Sequence, residues 1–277
     1  METRARVLID CDDAKGLVYK ISKVFFEKAL NIDSNREFVD KETGRFFMRT
    51  VVTGIFELDE LLSELKSIAP EADIRVIVPK AKKIVLMATK ESHALGDILI
   101  RHADGELDAE IECVIANHDT LETLVRRFDI PFFCIPADGM SREEHEEKVM
   151  ELIDTFDFDF IVLAKYMRIL TSKFVNAYEK KIINIHHSFL PAFIGANPYK
   201  QAHERGVKII GATAHFVTDD LDEGPIIAQD VIPVNHRMEW RDMQRAGRDV
   251  EKVVLSRALS YVLNDRVFVY GNKTIVF

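Results

Sequence analysis

The chain has 277 residues, 47% of them hydrophobic and 30% charged, which is ordinary globular composition with room for two domains. A net charge of −9, with 13 basic and 15 acidic side chains in residues 1–80, leaves no basic module that would grip nucleic-acid phosphates. Cys11, Cys113 and Cys134 have no CxxC spacing, no apolar run nears the ~20 residues of a membrane span, and METRARVLID lacks a signal peptide's apolar stretch, so a reducing, cytoplasmic setting without membrane contact is expected.

In chain order, residues 6–11 (RVLIDC) predict a short buried strand. Asp12 and Asp13 are placed to cap a helix whose apolar residues, Leu17, Ile21, Val24, Phe25 and Leu30, fall on one face. Two strands are expected at 32–40 and 45–55, joined by a turn at Gly44. A second amphipathic helix carries Leu58, Leu61, Leu62, Leu65 and Ile68 inward and ends at Pro70, before a strand at 74–78. The order βαββαβ is the split-βαβ, ferredoxin-like pattern. With CDDAKGLV (11–18) followed by ALNI (29–32), residues 1–80 resemble an ACT domain. That resemblance implies a ligand-sensing module that pairs with a second copy, hence a homo-oligomer, and the loop Cys11–Gly16 as the place for an effector. A ferredoxin-like domain used only for packing is the alternative.

Pro79-Lys80-Ala81-Lys82-Lys83 reads as a linker. Beyond it, strands are expected at 84–88, 111–115, 131–135, 159–163, 182–186 and 209–216. Helices are expected near 93–101, 119–128, 141–155, 171–178 and 197–205. This alternation implies a Rossmann-like α/β domain at 84–277, with a mainly parallel sheet and its ligand beyond the C-terminal strand edges. A long helix at about 240–263 and a hairpin turning on Gly271-Asn272 complete the chain.

The chemistry concentrates in KIINIHHSFLPAF (181–193). Asn184 and His186 stand two apart at a strand's C-terminal edge and so point to one side, while His187 is expected to face away. An amide donor beside an imidazole suits acyl chemistry: Asn donates to a developing oxyanion, and His, with a free pKa near ~6.5, moves a proton at neutral pH. In GATAHFVTDDLDEGPII (211–227) a strand, an acidic turn and a strand follow one another. Asp222 in that turn bears on His186 if the two strands are neighbours, raising the imidazole's basicity and orienting a water. Each residue alone has an ordinary structural alternative, a cap or a solvated turn.

Together these residues resemble the formyl-folate transferase and hydrolase family, whose Asn-x-His is met by Asn184-Ile185-His186 and whose HFV-x-x-x-x-D-x-G stretch is met by His215-Phe216-Val217 and Asp222-Glu223-Gly224. The resemblance makes Asn184, His186 and Asp222 the catalytic set. It offers Met167, Arg168 and Leu170, in KYMRIL, together with His215 and Val217, as substrate contacts. The family's transferases acting on glycinamide ribonucleotide carry a Gly-rich phosphate loop after the first strand of this domain. Here that stretch is MATKESHALGD (87–97), with Lys90, Glu91, Ser92 and His93 in place of the close-approach glycines. Water is then the expected nucleophile. Further matches on the family's hydrolase side run through NREFVD, TGRFFMRT (43–50), ANHD (116–119), NIHHSFLPAFIGANPY (184–199) and AGRDVEKVVLSRAL (246–259).

The resemblance implies hydrolysis of 10-formyltetrahydrofolate to formate and tetrahydrofolate, supplying formate for purine synthesis and balancing the one-carbon folate pool. It implies no cofactor, the folate being the substrate, and methionine and glycine as effectors. The residue spacings offer no metal site. Formyl transfer to an amine acceptor and a non-catalytic folate or amino-acid sensor are the alternatives.

Overall fold

A computed structural model describes residues 2–192 and 197–277; residues 193–196 of the matching stretch 184–199 lie outside the described residues. The chain forms two compact units, one built from the chain through Lys80 with Asn264–Tyr270 and Ile275–Phe277, the other from Ala81–Leu263 with Gly271–Thr274.

The first unit runs β1 (Thr3–Asp12), α1 (Leu17–Glu27), β2 (Asn31–Asp40), β3 (Arg45–Gly54), α2 (Leu58–Ile68) and β4 (Asp73–Ile77). The strands lie in the order β2-β3-β1-β4, every neighbouring pair antiparallel. Period-two alternation sends Val7, Ile9, Met48 and Val52 to one face, where they meet Ile21 and Phe25 of α1 and Leu61 and Leu65 of α2. The β2–β3 turn uses Gly44 at φ +69°, a left-handed conformation that a side chain would strain. Asp12 and Asp13 do not cap α1, contrary to expectation: Asp12 is the last residue of β1, and the helix starts from Gly16 at φ +79° without a side-chain cap. The strand runs on past Cys11 because Asp12 pairs across to Arg45.

The second unit runs β5 (Lys82–Ala88), α3 (His93–Ala103), β6 (Ala109–Ala116), α4 (Glu122–Arg126), β7 (Phe132–Cys134), α5 (Arg142–Ile153), β8 (Phe160–Leu163), α6 (Ser172–Ala177), β9 (Ile182–His186), α7 (Pro198–Arg205), β10 (Ile209–Phe216), β11 (Ile226–Pro233) and α8 (Trp240–Leu263). Its seven strands lie in the order β11-β10-β9-β8-β5-β6-β7. From β9 to β7 the sheet is parallel, and β10 and β11 add antiparallel strands at the other edge. Ile84 to Ala88 are all buried, as a strand covered on both faces requires. The order reverses between β5 and β8, which opens a crevice at their C-terminal ends. Helix ends are fixed locally: Ser141 and Glu144 form a capping box on α5, and Thr171 caps α6 while the buried carboxylate of Glu146 accepts from its N–H.

The chain closes with a hairpin, β12 (Val267–Tyr270) and β13 (Lys273–Val276), turning at Gly271. The sequence reading gave this hairpin to the domain at 84–277. By contact most of it belongs to the first unit, because Phe268 and Phe277 pack on Leu8 and Phe47 across the sheet face that α1 and α2 leave uncovered. The Phe47 and Phe268 rings meet edge to face with centroids 5.6 Å apart. Among the described residues no helix is long and apolar enough to cross a membrane, and no group of three or more His, Cys, Asp or Glu is arranged to hold a metal ion.

Candidate active site

The last turn of backbone in β9 sets the site. Asn184 and His186 share one face of the strand, and antiparallel pairing places His215 of β10 opposite Asn184 and Thr213 opposite His186. Thr213 then stitches the exit of β9. Its hydroxyl donates to the Ser188 carbonyl at 2.9 Å and accepts from the Leu190 N–H at 3.0 Å. Gln229 of β11 donates to the same hydroxyl at 2.9 Å and to the Leu190 carbonyl at 3.0 Å.

Asn184 is oriented by its cross-strand partner. His215 donates from Nδ1 to the Phe216 carbonyl at 2.9 Å, which leaves the Nε2 lone pair to accept from Asn184 Nδ2 at 3.2 Å. Burial pushes the His215 pKa down, against the bond to Phe216, so the ring is neutral and suited to accepting. One N–H of the Asn184 amide is thus held, and the other has no partner among the described residues and can serve a ligand.

Asp222 reaches the same spot by a tight return of the chain. The turn closes where the Phe216 N–H donates to the Pro225 carbonyl at 2.9 Å. A Cβ on Gly224 would lie 1.8 Å from the Phe216 oxygen, so only glycine fits there. Asp222 itself sits at φ +59°, which a short polar side chain tolerates better than most. Its Oδ1 lies 3.3 Å from His186 Nδ1 and 3.8 Å from His215 Nε2. Burial raises the Asp222 pKa, but the hydrogen bond from His186 and the electrostatic pull of the two neighbouring imidazoles outweigh it, and the carboxyl is held below its ordinary range. His186 therefore presents Nδ1 to a carboxylate, while Nε2 is buried and has no hydrogen-bond partner among the described residues.

These groups open on a cavity of about 710 Å³ within the second unit. All eight residues singled out from sequence line it: Asn184, His186 and Asp222, and with them Met167, Arg168, Leu170, His215 and Val217. Leu170 and Val217 join the apolar cluster of Phe174 and Tyr178, Met167 is 55% exposed, and the Met167 N–H donates to Thr89 Oγ1 at 2.9 Å. The wall is apolar on that side. His187 does not face away as expected. It follows the last residue of β9, where strand alternation no longer applies, and its ring lies 5.2 Å from the His186 ring on the same cavity. Trp240, the first residue of α8, also lines the cavity.

Sequence reasoning missed a second polar group. Glu251 of α8 is 1% exposed, and its carboxylate accepts from Tyr199 Oη at 2.6 Å and His93 Nε2 at 2.8 Å, with Lys165 Nζ at 3.2 Å. Glu91, one of the residues that stand in place of the phosphate-loop glycines, lies next to them, 3.5 Å from His93 and 3.2 Å from Arg248. Glu251 and its three partners come from four separate segments, which is why no local motif announced them. One signal was available: Glu251 falls on the buried stripe of α8, among Val250, Val254, Leu255 and Ala258, where a charge needs a reason.

Two family matches divide the chain as the fold does: residues 5–70 match the ACT domain and residues 82–259 the formyl transferase family. The formyltetrahydrofolate deformylase of Escherichia coli O6:H1 is 59% identical over 96% of this chain and 95% of its own. That of Haemophilus influenzae is 55% identical over 98% of both. The crystal structure of a formyltetrahydrofolate deformylase from Pseudomonas syringae pv. tomato superposes with a TM-score of 0.95 at 45% identity, covering 100% of this chain and 95% of that one.

Proposed function

The chain belongs to the formyltetrahydrofolate deformylase family, and on that premise we propose that it hydrolyses 10-formyltetrahydrofolate to formate and tetrahydrofolate in the cavity above β9. The observation that carries the reading is the meeting of Asn184 and His186 from one strand with Asp222 from the turn after the neighbouring strand, with His186 Nε2 left without a hydrogen-bond partner among the described residues.

The hard step is attack on a formyl carbonyl whose nitrogen is conjugated to an arene. With its proton on Nδ1 toward Asp222, His186 has a basic Nε2 that takes a proton from water as the oxygen bonds to the formyl carbon. Asp222 balances the imidazolium so formed, the same coupling that holds its own carboxyl ionised. The oxyanion is stabilised by the free N–H of Asn184, whose other N–H is tied to His215. As the tetrahedral adduct collapses, His186 Nε2–H returns the proton to the leaving nitrogen, the C–N bond breaks and formate departs. The apolar wall of Leu170 and Val217, with Met167 and Arg168, suits the flat ring system of the folate. The proposal uses no metal and no cofactor.

The ACT domain supports a sensing role for the first unit, with methionine and glycine as its effectors and pairing of copies through it. Calorimetry on the full chain tests both amino acids, and no heat with either removes the effector reading. Three cysteines without disulfide partners suit the cytoplasm.

The decisive measurement is formate release from 10-formyltetrahydrofolate with no amine added, run beside a folate-binding titration. Asn184→Ala, His186→Ala and Asp222→Ala are each expected to lose ~10²–10³ in turnover while folate still binds. A folded His186→Ala variant with near-normal turnover overturns the assignment. Binding without formate release would instead leave a sensor.

A further inference from the structure

Glu251 is the most deeply buried carboxylate bordering the cavity, and the reaction as written does not use it. Burying an ion pair carries a desolvation cost that attraction repays only with good geometry, so the Glu251–Lys165 contact is a poor device for stability alone. The fold nevertheless commits several elements to it. Lys165 follows β8 at φ +65°, a strained conformation for a side-chain-bearing residue, and its side chain is 3% exposed. Tyr199 reaches in from α7, and a Cβ on Gly247 would sit 2.1 Å from its hydroxyl, so α8 is pared back there to admit the ring. His93 is the first residue of α3.

The cluster adjoins the reacting centre through one residue. His187 has its ring 6.1 Å from that of Tyr199 on one side and 5.2 Å from that of His186 on the other. The charged and titratable groups acting on it are Lys165 from the end of β8, Glu251 from α8, His186 from β9 and Asp222 from the following turn, with the Tyr199 ring from α7. Burial, then the Lys165 ammonium, lower the His187 pKa to about 4, against the pull of Glu251. A second imidazolium at that distance would oppose the protonation of His186 on which the hydrolysis depends.

We propose that Glu251 is a positioning residue for the hydrolysis: it holds the Lys165 ammonium and the Tyr199 hydroxyl in a cluster that adjoins His187 and so sets the charge met by the His186–His187 pair. This rests on the reading of the reaction given above. Glu251 touches neither the formyl group nor the attacking water; it acts through Lys165 and His187.

The two members of the pair have opposite signs, and that provides the test. Steady-state kinetics of the full-length protein between pH 5 and 9 compare wild type with Glu251→Gln, Lys165→Met and the double variant. Glu251→Gln leaves the ammonium unopposed, so the acid limb of kcat/KM moves to lower pH. Lys165→Met leaves the carboxylate unopposed, so it moves to higher pH, each by about one unit, and the double variant returns toward wild type. A merely structural role would lower activity in both without opposing shifts. Limbs that move together, or stay put, in folded variants overturn the proposal. Proton NMR of the His187 ring, assigned by His187→Gln, gives a second reading that does not depend on turnover. The His187 inflection is expected below the free value of ~6.5, to fall in Glu251→Gln and to rise in Lys165→Met, and an inflection that responds to neither change overturns the proposal. Absence of formate release from the wild type would instead strike the reaction itself and leave the NMR comparison standing.

Discussion

Asp222 and Glu251 are two carboxylates of the same cavity, and their surroundings give them different work. Burial raises the pKa of Asp222, and its histidine partners more than cancel that. Glu251 goes further: burial is outweighed by the His93 hydrogen bond, the Lys165 charge and the Tyr199 hydroxyl, and its pKa falls to about 2. A carboxyl whose folded pKa lies below its unfolded value stabilises the fold above the unfolded value and loses that contribution as pH falls through the folded one. For Glu251 the window runs from 4.5 down to about 2. The thermal midpoint of the wild type should therefore drop more steeply across that window than that of Glu251→Gln, which has no proton to gain there. Equal slopes in calorimetric melts would remove Glu251 as a source of acid sensitivity. The contrast also marks what sequence could disclose at this scale. Asn184 and His186 are legible because two residues in an extended strand must share a side, and Asp222 because its strand is the next one along. Lys165, Tyr199, His93 and Glu251 meet only when four segments have folded, and nothing in their own neighbourhoods says so.

At the level of elements, the strands and helices follow from periodicity, and the departures have local causes. The first helix starts at Gly16 rather than at the two aspartates because Asp12 remains paired in the sheet. The helix expected at 119–128 shortens to a 3₁₀ turn over Asp119–Leu121 that runs into α4. The return from β10 to β11 is the element that sets Asp222 against His186, and Gly224 is its least replaceable residue. Gly224→Ala would drive a methyl into the Phe216 carbonyl, so the turn must open and carry Asp222 away from His186. The expected outcome is a stability loss of about 1–3 kcal/mol together with a fall in kcat approaching that of Asp222→Ala. A Gly224→Ala enzyme that melts and turns over like wild type would mean that Asp222 does not owe its place to this turn.

For the molecule as a whole, the two-part plan was readable from the change of pattern near residue 80, and the composition of the parts was not. A hairpin signal predicts a hairpin; it says nothing about which core receives it. Phe268 is 2% exposed against Leu8 and Phe47 and lies far from both in sequence. Phe268→Ala should cost about 3–5 kcal/mol, and hydrogen exchange should report that loss in β1 and β3 rather than in the parallel sheet. Faster exchange confined to the second unit would contradict the contacts.

The same arrangement bears on synthesis. When the ribosome has released the first eighty residues, Leu8 and Phe47 have been made but their aromatic cover has not. The nascent ACT domain must wait, with an apolar face exposed, through almost two hundred further codons, although domains elsewhere tend to fold as units, amino-terminal first. A premature stop before residue 264 thus leaves the ACT domain incomplete, and a fragment ending at Lys80 will tend to self-associate through that uncovered face.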